Sequence, residues 1–352
     1  RDLVRSRGLG DVYKRQDLKI VKPNAELMLV PYNDDLFALK HLESVGRTCY
    51  KSENNITDDS CINFVSGIIK RGHEAVIEHY SFIYELNDIS LDSLEFLIKN
   101  LSDEGFNSFL RITYDKRPIV SGNVRAWREL LKWATELGYC IPGYMKSFVY
   151  AYPLFFPEYQ NALFSTEVDE DYVFTPLSVA NLHGDVELLT HVDITARLTN
   201  DRGVSHEEVR HRPASFAQES TRYCNYSKDK FDSAISYIDL LGGMELDSKT
   251  KSMSANEKSA IYDEWVLACE DAERHYFRML ELGATPQIAR SVLNNSTKTE
   301  ICITMNLAEW KHFFTLRLSP AAHPQMREVA SMLLDRFDAE LPHYHKYVGV
   351  RE

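Results

Sequence analysis

The chain has 352 residues, of which 44% are hydrophobic and 26% charged, a composition typical of a globular protein. This length allows one large domain or two smaller ones. The formal net charge of −12 argues against broad, non-specific binding to nucleic acid or to anionic membranes, although it leaves room for a small basic site. We find no apolar run of the ~18 residues that a membrane helix needs, and no secretory signal.

Cysteine usage points to a reducing compartment, and we expect a cytoplasmic protein. No two cysteines form a CxxC pair or stand at the spacing of zinc ligands. The alternative is a secreted protein with three disulfides. The six cysteines are Cys49, Cys61, Cys140, Cys224, Cys269 and Cys302.

The first sixteen residues differ from the remainder. RDLVRSRGLGDVYKRQ holds five Lys and Arg against two Asp, shows no apolar periodicity and resembles translated sequencing-adapter DNA. Residues 1–16 are therefore not expected to form part of the fold. The alternative is a genuine, flexible basic arm.

In the first half of the chain, amphipathic and β-rich patterns alternate with turn residues. The aromatic, proline-containing residues 139–187 have no clear period and are interpreted as an irregular segment with short elements. Helices are predicted over 34–46, 57–71 and 123–138, and strands over 80–86 and 106–114.

The segment 189–199 alternates apolar and polar residues, which predicts a half-buried strand, and a turn at 201–203 should follow. Ser205 and Glu208 then fit a capping box. This pattern predicts that RHR lies on a short helix, with a loop beyond Pro213.

The last third contains three helical patterns and one strand. Together with the amphipathic strands before them, these elements predict an α+β fold with a mainly antiparallel sheet flanked by helices. We expect a single catalytic domain over 17–352, with an insertion at about 85–188. The helices are predicted over 255–283, 308–318 and 324–341, and the strand over 299–307.

Several familiar site motifs are absent from the sequence: the dinucleotide fingerprint GxGxxG, the P-loop, the GxSxG elbow and HExxH. His73 and His79 are six residues apart, which would turn them to different faces of a helix. A metal-dependent hydrolase using His73, His79, His206 or His211 remains an alternative.

The stretch RHRPASFAQESTRY at 210–223 gathers cations in an acidic chain. Arginine presents a planar fork of donors that suits phosphate. Nearby hydroxyl groups and loop N–H groups would complete a phosphate cradle; the hydroxyl residues are Ser215, Ser220 and Thr221. The alternative is a salt-bridged surface network with the neighbouring acids Glu207, Glu208 and Glu219.

Two further arginines lie in apolar surroundings near the C-terminus. Arg290 stands in PQIARSVLNN and Arg317 in HFFTLRL. An arginine in such a pattern must reach a partner or extend to water.

Four segments, in order, are similar to the flavin-dependent thymidylate synthase family, in a longer form with a central insertion. RHR followed by seven residues and S-x-R resembles the family's signature, and GHEAVIEH at 72–79 resembles its Gly-His-Glu segment. The number of residues between Arg290 and Arg317 resembles that between two C-terminal arginines of the family. The C-terminal sequence pattern of the family also resembles two stretches of this chain, MNLAEWKHFFTLRL and AHPQMREVA.

The resemblance implies an enzyme that methylates dUMP reductively to dTMP. Methylenetetrahydrofolate would donate the carbon, and NADPH would supply the hydride by way of FAD. It also implies a homotetramer with active sites at subunit interfaces, without nucleic-acid or membrane partners. The alternative from another class is a non-catalytic nucleotide-binding module.

The resemblance also assigns residues. Arg317 would be catalytic, polarising the pyrimidine. The dUMP-binding positions would be Glu207, Arg210, Gln218, Ser220, Thr221, Arg222, Arg290 and Arg317. The FAD-binding positions would be His73, Arg210, His211, Arg212, Gln218, Asn306 and His312. Ala75, Ala217, His312 and Cys49 depart from side chains found in some relatives, which weakens individual flavin contacts.

Overall fold

The computed structural model describes residues 18–31, 33–114, 117–165, 174–177, 189–342, 344 and 348. The segment 1–16 lies outside the described residues, as do 178–188 within the proposed insertion. No helix in the described ranges is both long and apolar enough to cross a membrane.

Most helices begin where a short polar side chain accepts a hydrogen bond from the first turn, the usual signature of an N-cap. Asp34 accepts from Phe37 N–H at 3.0 Å, and Ser254 forms a complete capping box with Glu257. The described α-helices are α1 (Asp35–Tyr50), α2 (Ser60–Lys70), α3 (Asp88–Asp103), α4 (Val124–Glu136), α5 (Gly143–Ala151), α6 (Arg202–Glu208), α7 (Leu241–Leu246), α8 (Ala255–Glu281), α9 (Pro286–Ala289), α10 (Leu307–Arg317) and α11 (Pro324–Glu340).

The strands form two four-stranded antiparallel sheets and one parallel pair, β1 with β9. The orders are β2-β7-β10-β8 and β4-β5-β3-β6. The described strands are β1 (Lys19–Val21), β2 (Asn24–Leu27), β3 (Ser81–Leu86), β4 (Arg111–Thr113), β5 (Ile119–Asn123), β6 (Phe174–Pro176), β7 (Asp193–Asp201), β8 (Ser215–Gln218), β9 (Ser236–Ile238) and β10 (Lys298–Asn306).

The first sheet carries the C-terminal core. β10 pairs with β7 over nine residues and with β8 over four. It therefore lies between β7 and β8, the strand that follows RHR in the chain. Trp310, Phe314 and Phe337, from α10 and α11, are fully buried against one another and against this sheet. The burial fixes the end of α10, and hence the position of Arg317.

The second sheet carries a separate aromatic core. Phe82 on β3 contacts Phe148 and Tyr152 at ring-centroid distances of 5.2 and 4.4 Å, and Trp127 on α4 lies 5.2 Å from Phe148. Aromatic pairs at these distances stabilise a core beyond simple burial. Both four-stranded sheets are antiparallel, and the α+β prediction is confirmed.

Two local predictions were wrong near RHR. Residues 201–203 are not a turn before a Ser205 cap, because Asp201 accepts a 2.6 Å hydrogen bond from Val204 N–H and begins α6 earlier. RHR consequently lies beyond the helix end.

The stretch that follows RHR is also not a loop throughout. Ser215–Gln218 form β8, because its residues pair with Thr304–Ile301 of β10. Pro213 and Ala214 precede the strand, and the chain leaves the sheet again at Glu219.

The first half also differs from prediction. The strand predicted over 106–114 is limited to Arg111–Thr113, and α3 and α5 were not predicted. α3 buries leucines at positions 91, 94, 97 and 101, a helical spacing, beneath the second sheet.

Candidate functional site

A buried carboxyl group holds the end of α6. Glu208 is fully buried, and its Oε1 accepts a 2.6 Å hydrogen bond from Nδ2 of Asn200 on β7. Burial raises the pKa of Glu208 to about 7, against the opposing effect of the Asn200 bond. Its backbone oxygen accepts from His211 N–H at 2.9 Å, which fixes RHR to the sheet.

The three residues of RHR have different environments. Arg210 and Arg212 are exposed, whereas His211 is only 4% exposed. The His211 ring lies 5.2 Å from that of His312, and its Nε2 is 3.4 Å from Oε2 of Glu309. Burial, followed by the influence of His312 and Arg317, lowers the pKa of His211 to about 4, so the ring is neutral near pH 7.

The carboxylates near RHR bond to residues other than the arginines of RHR and S-T-R. Glu207 pairs with Arg317, Glu208 bonds to Asn200, and Glu219 accepts from Lys298 Nζ at 3.0 Å. Among the described residues, Arg210, Arg212 and Arg222 form no ion pair. The salt-bridged network considered from the sequence is therefore not formed by these arginines.

The S-T-R loop is held by its backbone. Ser220 N–H donates to the Cys49 backbone oxygen at 2.9 Å, at the end of α1. Arg290 Nη1 donates to Thr221 Oγ1 at 3.1 Å, so Arg290 lies beside this loop. The guanidinium of Arg222 is exposed and lies 5.5 Å from the centre of the Tyr223 ring.

The side chain of Gln218 links β8 to α6 and β10. Its Nε2 donates to Ser205 Oγ at 2.8 Å and to Thr299 Oγ1 at 3.1 Å. Sequence reasoning missed Ser205 and Thr299 as supporting residues, because their proximity depends on how α6 folds over β10.

Arg317, the last residue of α10, is held by Glu207. Its Nη2 donates to the Glu207 backbone oxygen at 2.7 Å, and its Nη1 lies 3.4 Å from Oε2. Its Nε is buried without a hydrogen-bond partner among the described residues. Arg317 therefore reaches a partner, yet keeps donor capacity.

Asn306 and His73, two predicted FAD-binding positions, lie in different environments. Asn306 caps α10 by accepting from Glu309 N–H at 2.9 Å, and it lines a cavity of about 600 Å³ together with Arg212. His73 is exposed and does not line this cavity. Within the described residues, no hydrogen bond joins the Arg317–Glu207 pair to the Arg290–Thr221 pair.

The histidines considered as metal ligands do not cluster. His79 is buried, its Nδ1 is 2.7 Å from Thr304 Oγ1, and burial lowers its pKa to about 3. No three His, Cys, Asp or Glu side chains in the described ranges are arranged to hold a metal ion. All six cysteines are free thiols.

The fold and the site define an α+β protein with an arginine-rich loop at the edge of an antiparallel sheet, open to an anionic ligand. Residues 177–343 match the family model of the thymidylate synthase complementing protein, Thy1, so this segment is similar to that family.

Curated relatives carry a matching name. The chain is 30% identical over 184 residues to a flavin-dependent thymidylate synthase of Saccharolobus solfataricus, covering 52% of the chain and 64% of the relative. It is 33% identical over 153 residues to one of Geobacter sulfurreducens, covering 43% and 59%. The chain thus spans less than two thirds of these relatives' length.

A solved structure is also similar to part of the chain: the UMP/dUMP methylase PolB from Streptomyces cacaoi bound with 5-Br UMP. The identity is 24%, and the match covers 45% of this chain and 73% of that one. The TM-score of 0.38 is too low to establish a shared fold.

Proposed function

We propose that the protein is an FAD-dependent thymidylate synthase. It methylates dUMP to dTMP, with methylenetetrahydrofolate as the one-carbon donor and NADPH as the source of reducing equivalents. The observation that carries this proposal is the set of arginines without carboxylate partners, Arg210, Arg212 and Arg222, within the segment that matches the family. Arginines left without acids are suited to phosphorylated ligands.

On the dUMP side, the S-T-R loop binds the phosphate. Arg222 is exposed and has no ion pair within the described residues, so its guanidinium can form a bidentate contact with the phosphate. Arg290 already contacts Thr221, which places a second cation beside the same loop. Ser220 contributes its hydroxyl, while Gln218, Glu207 and Arg210 complete the dUMP positions.

Arg317 stabilises charge on the pyrimidine. Glu207 holds its guanidinium through two atoms, which fixes its orientation before the substrate binds. A fixed cation beside a developing negative charge lowers the barrier most where water is excluded. The buried Nε without an acceptor provides a donor that the protein itself does not use.

The residues around the cavity are suited to binding FAD. The cavity of about 600 Å³ is of ordinary cofactor-site size. Arg212 and Asn306 line it, Arg212 meets no carboxylate within the described residues, and the neutral His211 lies beside His312. Bound FAD supplies hydride transfer, whereas Arg212, His211 and the neighbouring FAD positions hold and orient it.

We also propose an oligomeric state and a cellular location for the protein. The 17–352 segment acts as one catalytic domain with an insertion at about 85–188, in a cytoplasmic homotetramer. Active sites at subunit interfaces would bring together the Arg317 and Arg290 pairs, which have no hydrogen bond between them in one chain.

The deciding experiment is a flavin absorbance spectrum of the purified protein, followed by NADPH oxidation with and without dUMP and the folate. We expect a yellow protein whose NADPH oxidation depends on dUMP and produces dTMP. A colourless protein that takes up no added FAD would contradict the proposal. Binding of dUMP without dTMP formation would instead support the non-catalytic module.

A further inference from the structure

The cavity of about 600 Å³ has two walls of different origin. One wall belongs to the family segment and includes Arg212, Pro213 and Asn306. The other is formed by Phe109 and Arg125 with their neighbours, which lie outside residues 177–343. A part of the chain that the family model does not match therefore shapes a pocket next to RHR.

Packing of the residues on either side of Phe109 holds this wall of the cavity in place. Phe106 is buried and lies 5.9 Å from the Trp133 ring, and Leu110 packs against Gly122 on β5. Any side chain at position 122 would collide with Leu110. These contacts fix the loop on both sides of Phe109, whose own side chain is 66% exposed.

The loop is also tied to the first sheet. Arg111 donates from Nη1 to Asp193 Oδ1 at 2.7 Å and from Nη2 to Oδ2, across from β4 to the start of β7. Such a bidentate pair fixes orientation as well as distance. The two walls are therefore held in register with each other.

The charges in the cavity are distributed unevenly. Asp193 engages Arg111, and Arg125 donates to Glu78 at 2.6 Å and to Glu129 at 2.8 Å. Arg212 is the lining cation that meets no acid within the described residues. Because Arg212 has no carboxylate partner among the described residues, a phosphate is favoured there, whereas the exposed Phe109 ring suits an uncharged ring.

We propose that Phe109 and its loop bind the adenine of the FAD, with Arg212 on the adjoining phosphate. This inference rests on the proposed function and assigns the segment around 108–129 a role in cofactor selection. An exposed phenylalanine that lines a pocket offers a stacking face for a base. The wall thereby favours FAD over flavins that lack adenosine.

The test compares Phe109→Ala with a matched control, Phe96→Ala. Phe96 is 71% exposed on α3 and does not line the cavity. Apoprotein is titrated with FAD and, separately, with FMN, which lacks the adenosine, and binding is followed by flavin fluorescence. We expect Phe109→Ala to weaken FAD binding about tenfold, as for loss of a base-stacking contact, and to leave FMN binding unchanged.

The outcomes separate this inference from the proposed function. Equal FAD affinities for wild type and both variants overturn the inference and leave the proposed function intact. Equal weakening of FAD and FMN by Phe109→Ala also overturns it, because the effect is then not on the adenosine. A wild-type protein that binds neither flavin overturns the proposed function itself.

Discussion

Arginines in the two halves of the molecule have opposite environments. Arg128 on α4, in the aromatic half, is 4% exposed and donates to Phe155 O, Glu158 and Glu74 at 2.5 to 3.2 Å. Arg222, in the half that matches the family, is exposed and forms no ion pair within the described residues. The first is satisfied by acceptors from its own chain, whereas the second has no carboxylate partner among the described residues.

The difference shows how a structural arginine can be distinguished from a binding one. A buried guanidinium needs acceptors to offset the loss of water, so its partners belong to the fold. An exposed one surrounded by acids that are occupied elsewhere keeps its charge available. The same reasoning separates Arg111, bound to Asp193, from Arg212 across one cavity.

The largest effect is expected at Arg317. Replacing it with Gln removes the fixed cation that we propose to lie beside the pyrimidine and should lower kcat by ~10²–10³-fold, the loss typical of one electrostatic donor. FAD uptake should persist. Steady-state rates and a flavin titration check both. The control is Arg274→Gln, an exposed surface position on α8, and turnover in Arg317→Gln equal to this control would refute the catalytic role.

The next largest effect concerns stability. Arg128→Met leaves Phe155 O and two carboxylates without their donor and should lower the free energy of unfolding by about 3 kcal/mol. Urea denaturation measures this change, and dUMP affinity in the folded protein should be unaltered. If stability is unchanged, the distinction between the two halves is wrong.

Arg222→Gln should show the reverse pattern. Loss of a charge-assisted phosphate contact weakens dUMP binding by about 1.5–3 kcal/mol, while the free energy of unfolding changes by less than ~0.5 kcal/mol. Calorimetric titration with dUMP and with deoxyuridine distinguishes a phosphate contact from a base contact. Arg278→Gln, exposed on α8, is the control; an equal loss for both ligands would refute the assignment.

The smallest effect is pH-dependent and concerns Glu208. Its folded pKa is raised from 4.5 to about 7, so this group stabilises the fold fully below pH 4.5, and the contribution is lost as pH rises through 7. Between pH 5 and pH 8, wild type should lose on the order of 1 kcal/mol more than Glu208→Gln. Buried histidines titrate alike in both proteins. Glu245→Gln, an exposed change, should behave as wild type, and parallel pH curves for Glu208→Gln and wild type would disprove the raised pKa.

Local patterns predicted much of the architecture. The helix at α8 and the strand at β10 agree with the sequence within a few residues, because amphipathic periodicity and caps are local properties. The helix predicted over 57–71 also ends close to its observed end, because α2 stops at Lys70 and Gly72 follows with a φ of 69°. By contrast, the sequence predicts a loop where β8 forms, because only pairing with β10 makes these residues a strand.

Residue type and spacing along the chain are enough to predict the α+β class, the concentration of arginines in RHRPASFAQESTRY and the family resemblance. Which of these arginines lack a carboxylate partner depends on the folded structure. Glu207, Glu208 and Glu219 stand beside RHR and S-T-R in sequence, yet they bond to Arg317, Asn200 and Lys298. Those partners come from distant segments, and pairing between segments depends on packing that no local pattern records.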